Sequence, residues 1–482
     1  MIHRIFFFLL IVFLPTQLGY HVWPEWAYVL GRRIDFLSPT LFISDILLAG
    51  TIFFWVIDFL AYKKSIKGLV LGIKENTLYL ILNPSFIYIN ILHAASWQVS
   101  LYSWWKFLEY ALLFLYIIKT KPSMQLLSVG LTIGILYSSV IAISQFLLQH
   151  SLGGIFWFLG ERTFSIDTPG IARFPLCLPS FFGCIEFLRS YATFPHPNVF
   201  AGFLAVGIPI LIHSPVHNFS ENFIFRLIFK DIKSLLRGLR IAAIALGLLA
   251  LLLTFSRSAV FVMVLYALLR VVQFFYFDKF YLLNTARPER SRREYRILNT
   301  AFMIHASVFK KVTILFVIPL CIVGLYLLKS VGSLEESVVV RQELISSAWT
   351  LFQSSPLFGI GLGNFIVRLP DVLTAHAVYF LQPVHNIYLL LLSEVGIVGM
   401  GLLLFSVFYL LNTEYRIMNT EVNSKLRQRI QSKLFTIQYS LFIILVLGLV
   451  DHYWLTLQQG QLLLVVVLGY SLVVFPKKIN AQ

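Results

Sequence analysis

The chain has 482 residues, of which 58% are hydrophobic and 12% charged, and its formal net charge is +16. A soluble domain carries about 25% charged residues, so this composition excludes a protein with water on every side. The positive balance would suit a nucleic-acid binder, but the basic residues gather between apolar runs, where they mark the cytoplasmic side of a membrane. Cys177, Cys184 and Cys321 form no CxxC pair or metal-type cluster, and a Cys177–Cys184 bridge and buried free thiols both stay open.

The first element is Arg4 followed by the apolar run Ile5–Leu14 and then Pro15-Thr-Gln, with no small-residue cleavage site. This pattern predicts a retained first span rather than a removed signal peptide. Stretches able to cross ~30 Å of hydrocarbon recur along the whole chain. They predict an all-α, polytopic fold of twelve spans, near 5–20, 41–61, 77–95, 102–118, 124–148, 199–213, 240–255, 259–277, 312–329, 387–411, 434–450 and 460–475. The expectation is one transmembrane domain over 1–482 with both termini cytoplasmic. Alternating the spans places about 28 of the 38 Lys and Arg inside and about 9 outside, as the positive-inside rule requires. The largest inner cluster runs from Lys279 to Lys311.

Two long segments then face outward, 149–198 and 330–386, the second being helical in part. Both carry Gly, Pro, His and isolated arginines rather than a solvated charge run, which points to function there. In the first, Arg162 and Arg189 are candidates for gripping phosphate or sugar, and His196 precedes Pro197-Asn198, where Asn198 reads as a turn and helix cap. Thr254-Phe-Ser-Arg-Ser puts Arg257 in a very short outer turn. A snorkelling arginine would explain it, yet a guanidinium fixed at headgroup depth also suits a bidentate grip on phosphate oxygens.

The second outer segment opens with Arg341-Gln-Glu-Leu-Ile-Ser-Ser-Ala-Trp349, whose helical spacing places Arg341 near the start of an amphipathic helix. Ser355-Pro-Leu-Phe-Gly-Ile-Gly-Leu-Gly-Asn364 follows. Its glycines resemble a nucleotide loop, but no strand precedes them, and a tight backbone turn is the better reading. His385-Asn386 stands at the start of the tenth span, where a helix N-terminus disfavours the protonated imidazole and keeps it able to accept a proton. Asn386 also suits a helix cap. Glu394 lies further down that helix, ahead of Gly396 and Gly399, and a carboxylate there needs a partner or water. Asp451-His452 sits on the outer turn before the last span and would line the same cavity. Asp45, Lys106 and Glu109 are charges within spans, of which the last two can neutralise each other on one helix face. No Asp-x-Asp, HExxH, GxSxG or SxxK pattern occurs, so chemistry without a metal, a cofactor or a covalent serine is expected.

Four passages together resemble the O-antigen ligase and O-antigen polymerase superfamily of membrane glycosyltransferases. They are Ser190-Tyr-Ala-Thr-Phe-Pro-His-Pro-Asn-Val-Phe-Ala-Gly, Leu253-Thr-Phe-Ser-Arg-Ser, Arg341 through Ser355-Pro-Leu-Phe-Gly-Ile-Gly-Leu-Gly-Asn-Phe, and His385-Asn-Ile-Tyr-Leu with Glu394-Val-Gly. The resemblance implies a bacterial inner-membrane enzyme that transfers a glycan from an undecaprenyl-pyrophosphate carrier to an acceptor hydroxyl on the outer face, inverting and metal-free. It implies that Arg257 and Arg341 bind the pyrophosphate and that His385 is the general base. Arg162, Arg189, His196, Asn386, Glu394, Asp451 and His452 are supporting candidates. Polymerase and ligase share these motifs, so a lipid, glycan or protein acceptor stays open. A lipid-linked glycan transporter is the alternative from another class, but it would place its binding groups at the bilayer midplane.

The orientation has a direct check. Cysteines introduced at Ser355 and near Ser165 should label from outside, and ones at Ser291 and Ser424 only after permeabilisation. Reversed labelling at Ser355 and Ser291 together would overturn the threading and the function built on it.

Overall fold

The computed structural model describes residues 2–61, 83–177, 184–214, 230–273, 334–373, 381–421 and 437–473. The helices among them are α1 (Ile2–Val12), α2 (Ile43–Ala61), α3 (Pro84–Leu92), α4 (Trp97–Thr120), α5 (Met124–Leu148), α6 (Pro197–His213), α7 (Lys230–Leu253), α8 (Arg257–Gln273), α9 (Leu334–Ser354), the single turn α10 (Phe365–Arg368), α11 (Ile387–Glu421), α12 (Ile437–Leu447), the single turn α13 (Tyr453–Thr456) and α14 (Gln458–Val473). Strand is confined to short antiparallel pairs: Gly19–His21 with Thr40–Phe42, Tyr28–Val29 with Arg32–Arg33, and Arg173–Cys177 with Cys184–Leu188. The last pair sets the backbones of Cys177 and Cys184 opposite each other.

The architecture is helical and apolar, as a membrane protein requires. Among the described residues four helices are long and apolar enough to cross a bilayer: α2, α5, residues 234–253 of α7, and residues 387–406 of α11. Among the other expected spans, α1 and α3 are shorter and α4 is more polar than the hydropathy suggested, while α6 and α14 match their expected lengths closely. In α1 there are 11 residues, because the chain turns at Pro15 and enters the strand at Gly19. Helix α3 holds 9 residues, with Asn83 capping the Ser85 amide and Pro84 at its first position. At 24 residues α4 is long enough, but it carries Lys106, Glu109 and Lys119. The span expected at 312–329 and the basic cluster 279–311 lie outside the described residues.

Those internal charges are paired. Lys106 Nζ donates to Asp45 Oδ1 and to Glu109 Oε2, both at 2.7 Å. Gln458 also donates to Asp45, and Tyr110 donates to Gln458 Oε1 at 2.6 Å. The network joins α2, α4 and α14, so each charge in it meets an opposite charge or a hydrogen bond.

Two apolar cores organise the molecule. The larger joins α1, α2, α4, α5, α6, α7, α8 and α14 around Phe7, Tyr116, Leu131, Phe200, Leu251 and Val467. The second lies beneath the outer segments. It unites Ala27, Val29, Ile34 and Leu37 with Val340, Leu344, Ala348 and Leu351 of α9, and with Phe365 and Leu369 beyond it.

The glycine segment after α9 interlocks with α11. At Gly396 the α11 backbone leaves helical geometry (φ +65°). That break frees carbonyls and amides that a bilayer interior cannot solvate. The segment supplies partners on both sides of it: Ile360 and Gly361 N–H donate to the Ser393 and Glu394 carbonyls at 3.0 and 3.1 Å, while Ile397 and Val398 N–H donate to the Pro356 and Leu357 carbonyls at 2.9 and 3.1 Å. Asn90 of α3 seals the joint, donating to the Phe358 and Glu394 carbonyls and accepting from Leu362 N–H and Trp104 Nε1.

Gly396 tests this joint, since a Cβ there would strike the Leu357 carbonyl and would also require positive φ. Gly396→Ala should cost at least ~1–3 kcal/mol of stability and lower the melting temperature in detergent. Gly401→Ala, in open space on the same helix, should leave it unchanged. Equal stability of the two variants would refute the interlock.

Candidate functional site

The candidate residues come from four separate stretches, and local geometry explains why each points where it does. At α6, Pro197 fills the first helical position, so the cap is His196, whose Nδ1 accepts from the Asn198 amide at 3.2 Å. Asn198 is therefore not the cap that the sequence suggested, because the proline shifts that role one residue earlier and frees the Asn198 side chain. Its Oδ1 accepts from Arg189 at 2.7 Å, and its Nδ2 donates to Asp451 Oδ2 at 3.5 Å.

Arg189 ties this group to the next stretch. Its Nε donates to the Thr254 carbonyl at 2.7 Å, where α7 ends and the chain reverses through Phe255 (φ +50°) into α8 at Arg257. The reversal spans three residues, as the sequence required, and holds Arg257 within electrostatic reach of Arg189. Desolvation, and then the Arg257 charge, pull the Arg189 pKa down to about 10.

The third stretch is α9. It begins at Leu334, earlier than the sequence suggested, so Arg341 lies a full two turns inside the helix rather than near its start. The apolar spacing misled because Val338, Val339 and Val340 continue the helix upstream. Arg341 acts electrostatically on His196, His385, Asp451 and His452 together. Among the described residues it has no hydrogen-bond partner.

The fourth consists of the two turns that flank α11 and α13. Asn386 caps α11, accepting from the Tyr388 and Leu389 amides at 3.0 Å, and its Nδ2 donates to the Leu449 carbonyl at 3.2 Å. That bond, with Ile387 N–H to the Gly448 carbonyl at 2.8 Å, brings His385 beside Asp451-His452. The His385 and His452 rings meet edge to face with centroids 5.0 Å apart. Phe36, from the stretch between α1 and α2, packs edge-on against His452 with centroids 5.6 Å apart.

The electrostatics follow from burial in a cationic surround. His385 is pulled down to about 4 by desolvation and then by Arg341. His196 falls to about 3, by desolvation first and then by Arg189, His385, Arg341 and Arg162. His196 is itself exposed. Burial likewise holds His452 well below its ordinary value. Asp451 is pushed up to about 6 by burial, opposed by the His452 amide, Arg341, Asn198 and Arg189. At neutral pH the cluster holds neutral imidazoles, with the Arg189 and Arg341 guanidinium groups outnumbering the one carboxylate, Asp451, among the described residues around them, a setting that favours an anion.

Glu394 and Arg162 lie apart from this cluster. Glu394 is buried in the interlock, where Oε1 accepts from Phe365 N–H at 3.2 Å and the carboxylate also takes the Gly363 amide. Arg162 sits at the rim and donates to the Pro195 carbonyl at 3.2 Å. Sequence reasoning passed over Thr456, whose hydroxyl meets His452 Nδ1 at 2.7 Å. It also missed that His385, Asp451 and His452 together could hold a metal, with one ligand atom of each lying within 4.8 Å of the others. The only available signal was the pairing of two outer turns, which no linear motif encodes.

Fold and recess together describe a helical membrane protein with an anion-favouring, histidine-bearing site at its helix ends. Residues 242–404 match the family model described as O-antigen ligase, a stretch that includes Arg257, Arg341 and His385. The match covers about a third of the chain and supports its likeness to the O-antigen ligase and O-antigen polymerase superfamily. No protein of curated function matches it.

Proposed function

We propose that this protein transfers a glycan from an undecaprenyl-pyrophosphate carrier to an acceptor hydroxyl at the outer face of the bacterial inner membrane, with inversion and without a metal. The observation that carries this reading is the Arg341 guanidinium, which has no hydrogen-bond partner among the described residues, set against the neutral His385 and within electrostatic reach of His196, Asp451 and His452. In this mechanism the acceptor oxygen attacks the anomeric carbon, the bond to pyrophosphate breaks, and the acceptor proton passes to His385. Arg341 and Arg257 neutralise the charge that develops on the leaving pyrophosphate. Arg189 and Asn198 position Asp451, while Arg162 borders the entrance.

A base with a pKa of about 4 is weak at neutral pH. The bound pyrophosphate corrects this, because its negative charge offsets Arg341 and raises the imidazole toward the working range. An acceptor that is itself a carrier-linked glycan would make the same chemistry a polymerase reaction. Transport is less well supported, since the charged and imidazole groups lie at helix ends rather than midway along broken helices.

The test incubates purified protein with a lipid-pyrophosphate glycan in EDTA buffer, with lipid, glycan and protein acceptors in turn. Transfer should proceed, and His385→Ala should slow it roughly 10²–10⁴-fold while carrier binding persists. Arg341→Ala and Arg257→Ala should weaken both binding and turnover, and lysine should rescue them in part. Loss of transfer in EDTA, restored by Mg²⁺ or Mn²⁺, would overturn the arginine account. Near-normal turnover of a correctly inserted His385→Ala would remove it as the base.

The pH profile supplies an independent check. Because the fold lowers the His385 pKa, the acid limb of kcat/KM should lie below 6.5, toward about 4. Arg341 contributes to that lowering, so the residual activity of Arg341→Ala should show its acid limb at higher pH. A limb that stays in place would separate Arg341 from the base.

A further inference from the structure

We propose that His385, Asp451 and His452 form a binding site for a borderline-soft divalent ion of the zinc type, and that the ion closes the catalytic site when it binds. One ligand atom from each residue lies within 4.8 Å of the others. Tetrahedral zinc, with bonds of ~2.0–2.1 Å, sets its donors about 3.3 Å apart. Side-chain movements of about an ångström therefore bring all three onto one ion.

The individual atoms are prepared for this. His385 Nδ1 is buried with no hydrogen-bond partner among the described residues. The Thr456 hydroxyl meets both the His452 carbonyl, at 3.2 Å, and His452 Nδ1, at 2.7 Å. In the tautomer with the proton on Nδ1, the hydroxyl donates to the carbonyl and accepts from Nδ1, and Nε2 offers its lone pair to a metal. A ligating histidine ordinarily has its other nitrogen held by such a partner. Asp451 is oriented by the His452 amide on Oδ1 at 2.9 Å and by Asn198 on Oδ2.

Arg341 opposes any cation here and sets the selectivity. Magnesium and calcium, which take oxygen ligands, find one carboxylate beside a guanidinium and are excluded. Zinc gains its binding from two nitrogen donors and tolerates the charge. The inhibitory consequence rests on the reading of His385 as base: an ion on that imidazole removes the lone pair that accepts the acceptor proton.

Zinc uptake is measured first without glycan substrate, so it stands or falls separately from the transferase reading. Full-length protein stripped with chelator should take up one Zn²⁺ per chain in competition with a chromophoric chelator, and Mg²⁺ should not displace it. Thr456→Val should weaken uptake roughly 10–100-fold. His452→Ala and Asp451→Asn should weaken it further, whereas His93→Ala, at the far end of α3, should retain it. Micromolar Zn²⁺ should then inhibit transfer, with recovery in EDTA. Absence of Zn²⁺ uptake by the wild type, or equal uptake by His452→Ala, would overturn the site. Uptake without inhibition would overturn the proposed closure.

Discussion

The backbone exchange between the glycine segment and the break in α11 holds the rest of the outer face in register. A helix interrupted within a membrane protein exposes amides and carbonyls that lipid cannot satisfy. Here Gly396 opens the helix, and residues 356–361 supply the partners. Helix α9 ends a few residues before that segment, and His385 stands just ahead of α11. The joint therefore fixes the helix bearing Arg341 against the helix that His385 precedes. Glu394 belongs to this joint. Its carboxylate gathers amides of the segment, and its own carbonyl accepts from Gly361 and Asn90. A carboxylate that the sequence offers as a supporting site residue is thus explained by the architecture that holds the site.

A second constraint joins the remaining parts. Arg189 spans the turn before Arg257 and the side chain of Asn198, which reaches Asp451. A planar guanidinium can satisfy two acceptors in fixed directions, which a lysine could not do. The connection runs from the turn before Arg257 through Arg189 and Asn198 to Asp451, and so ties that turn to the histidine cluster.

Much of the outer site was legible because reactive residue types stood at breaks in hydropathy. His385, Arg257 and Asp451 each lie where an apolar run begins or ends, and helix termini at a membrane surface are where polar side chains converge. The twelve-span reading was less secure because hydropathy registers composition rather than helix length. Helix α1 stops early and α4 carries its own ion network, although both segments look uniformly apolar in a sliding window. The role of Asn198 was hidden by Pro197, since cap rules see an asparagine before an apolar run but not which residue the proline leaves to cap it. Pairings such as Thr456 with His452, or His385 with Asp451, depend on how two turns dock, and no spacing along the chain encodes that.

The charge balance of the recess bears on why arginines rather than carboxylates dominate it. A magnesium-dependent glycosyl transferase site needs acidic ligands that are ionised when empty. Here a single carboxylate, Asp451, stands among the described residues of the cluster, with Arg189 and Arg341 close by. Adding a pyrophosphate supplies the missing negative charge: it relieves repulsion among the guanidinium groups and reverses the pressure that keeps the imidazoles neutral. Binding of the donor would then be the event that turns His385 from a weak base into a competent one. On the proposed reading, proton acceptance would be tied to the presence of the leaving group, with the base held low until there is a bond to break.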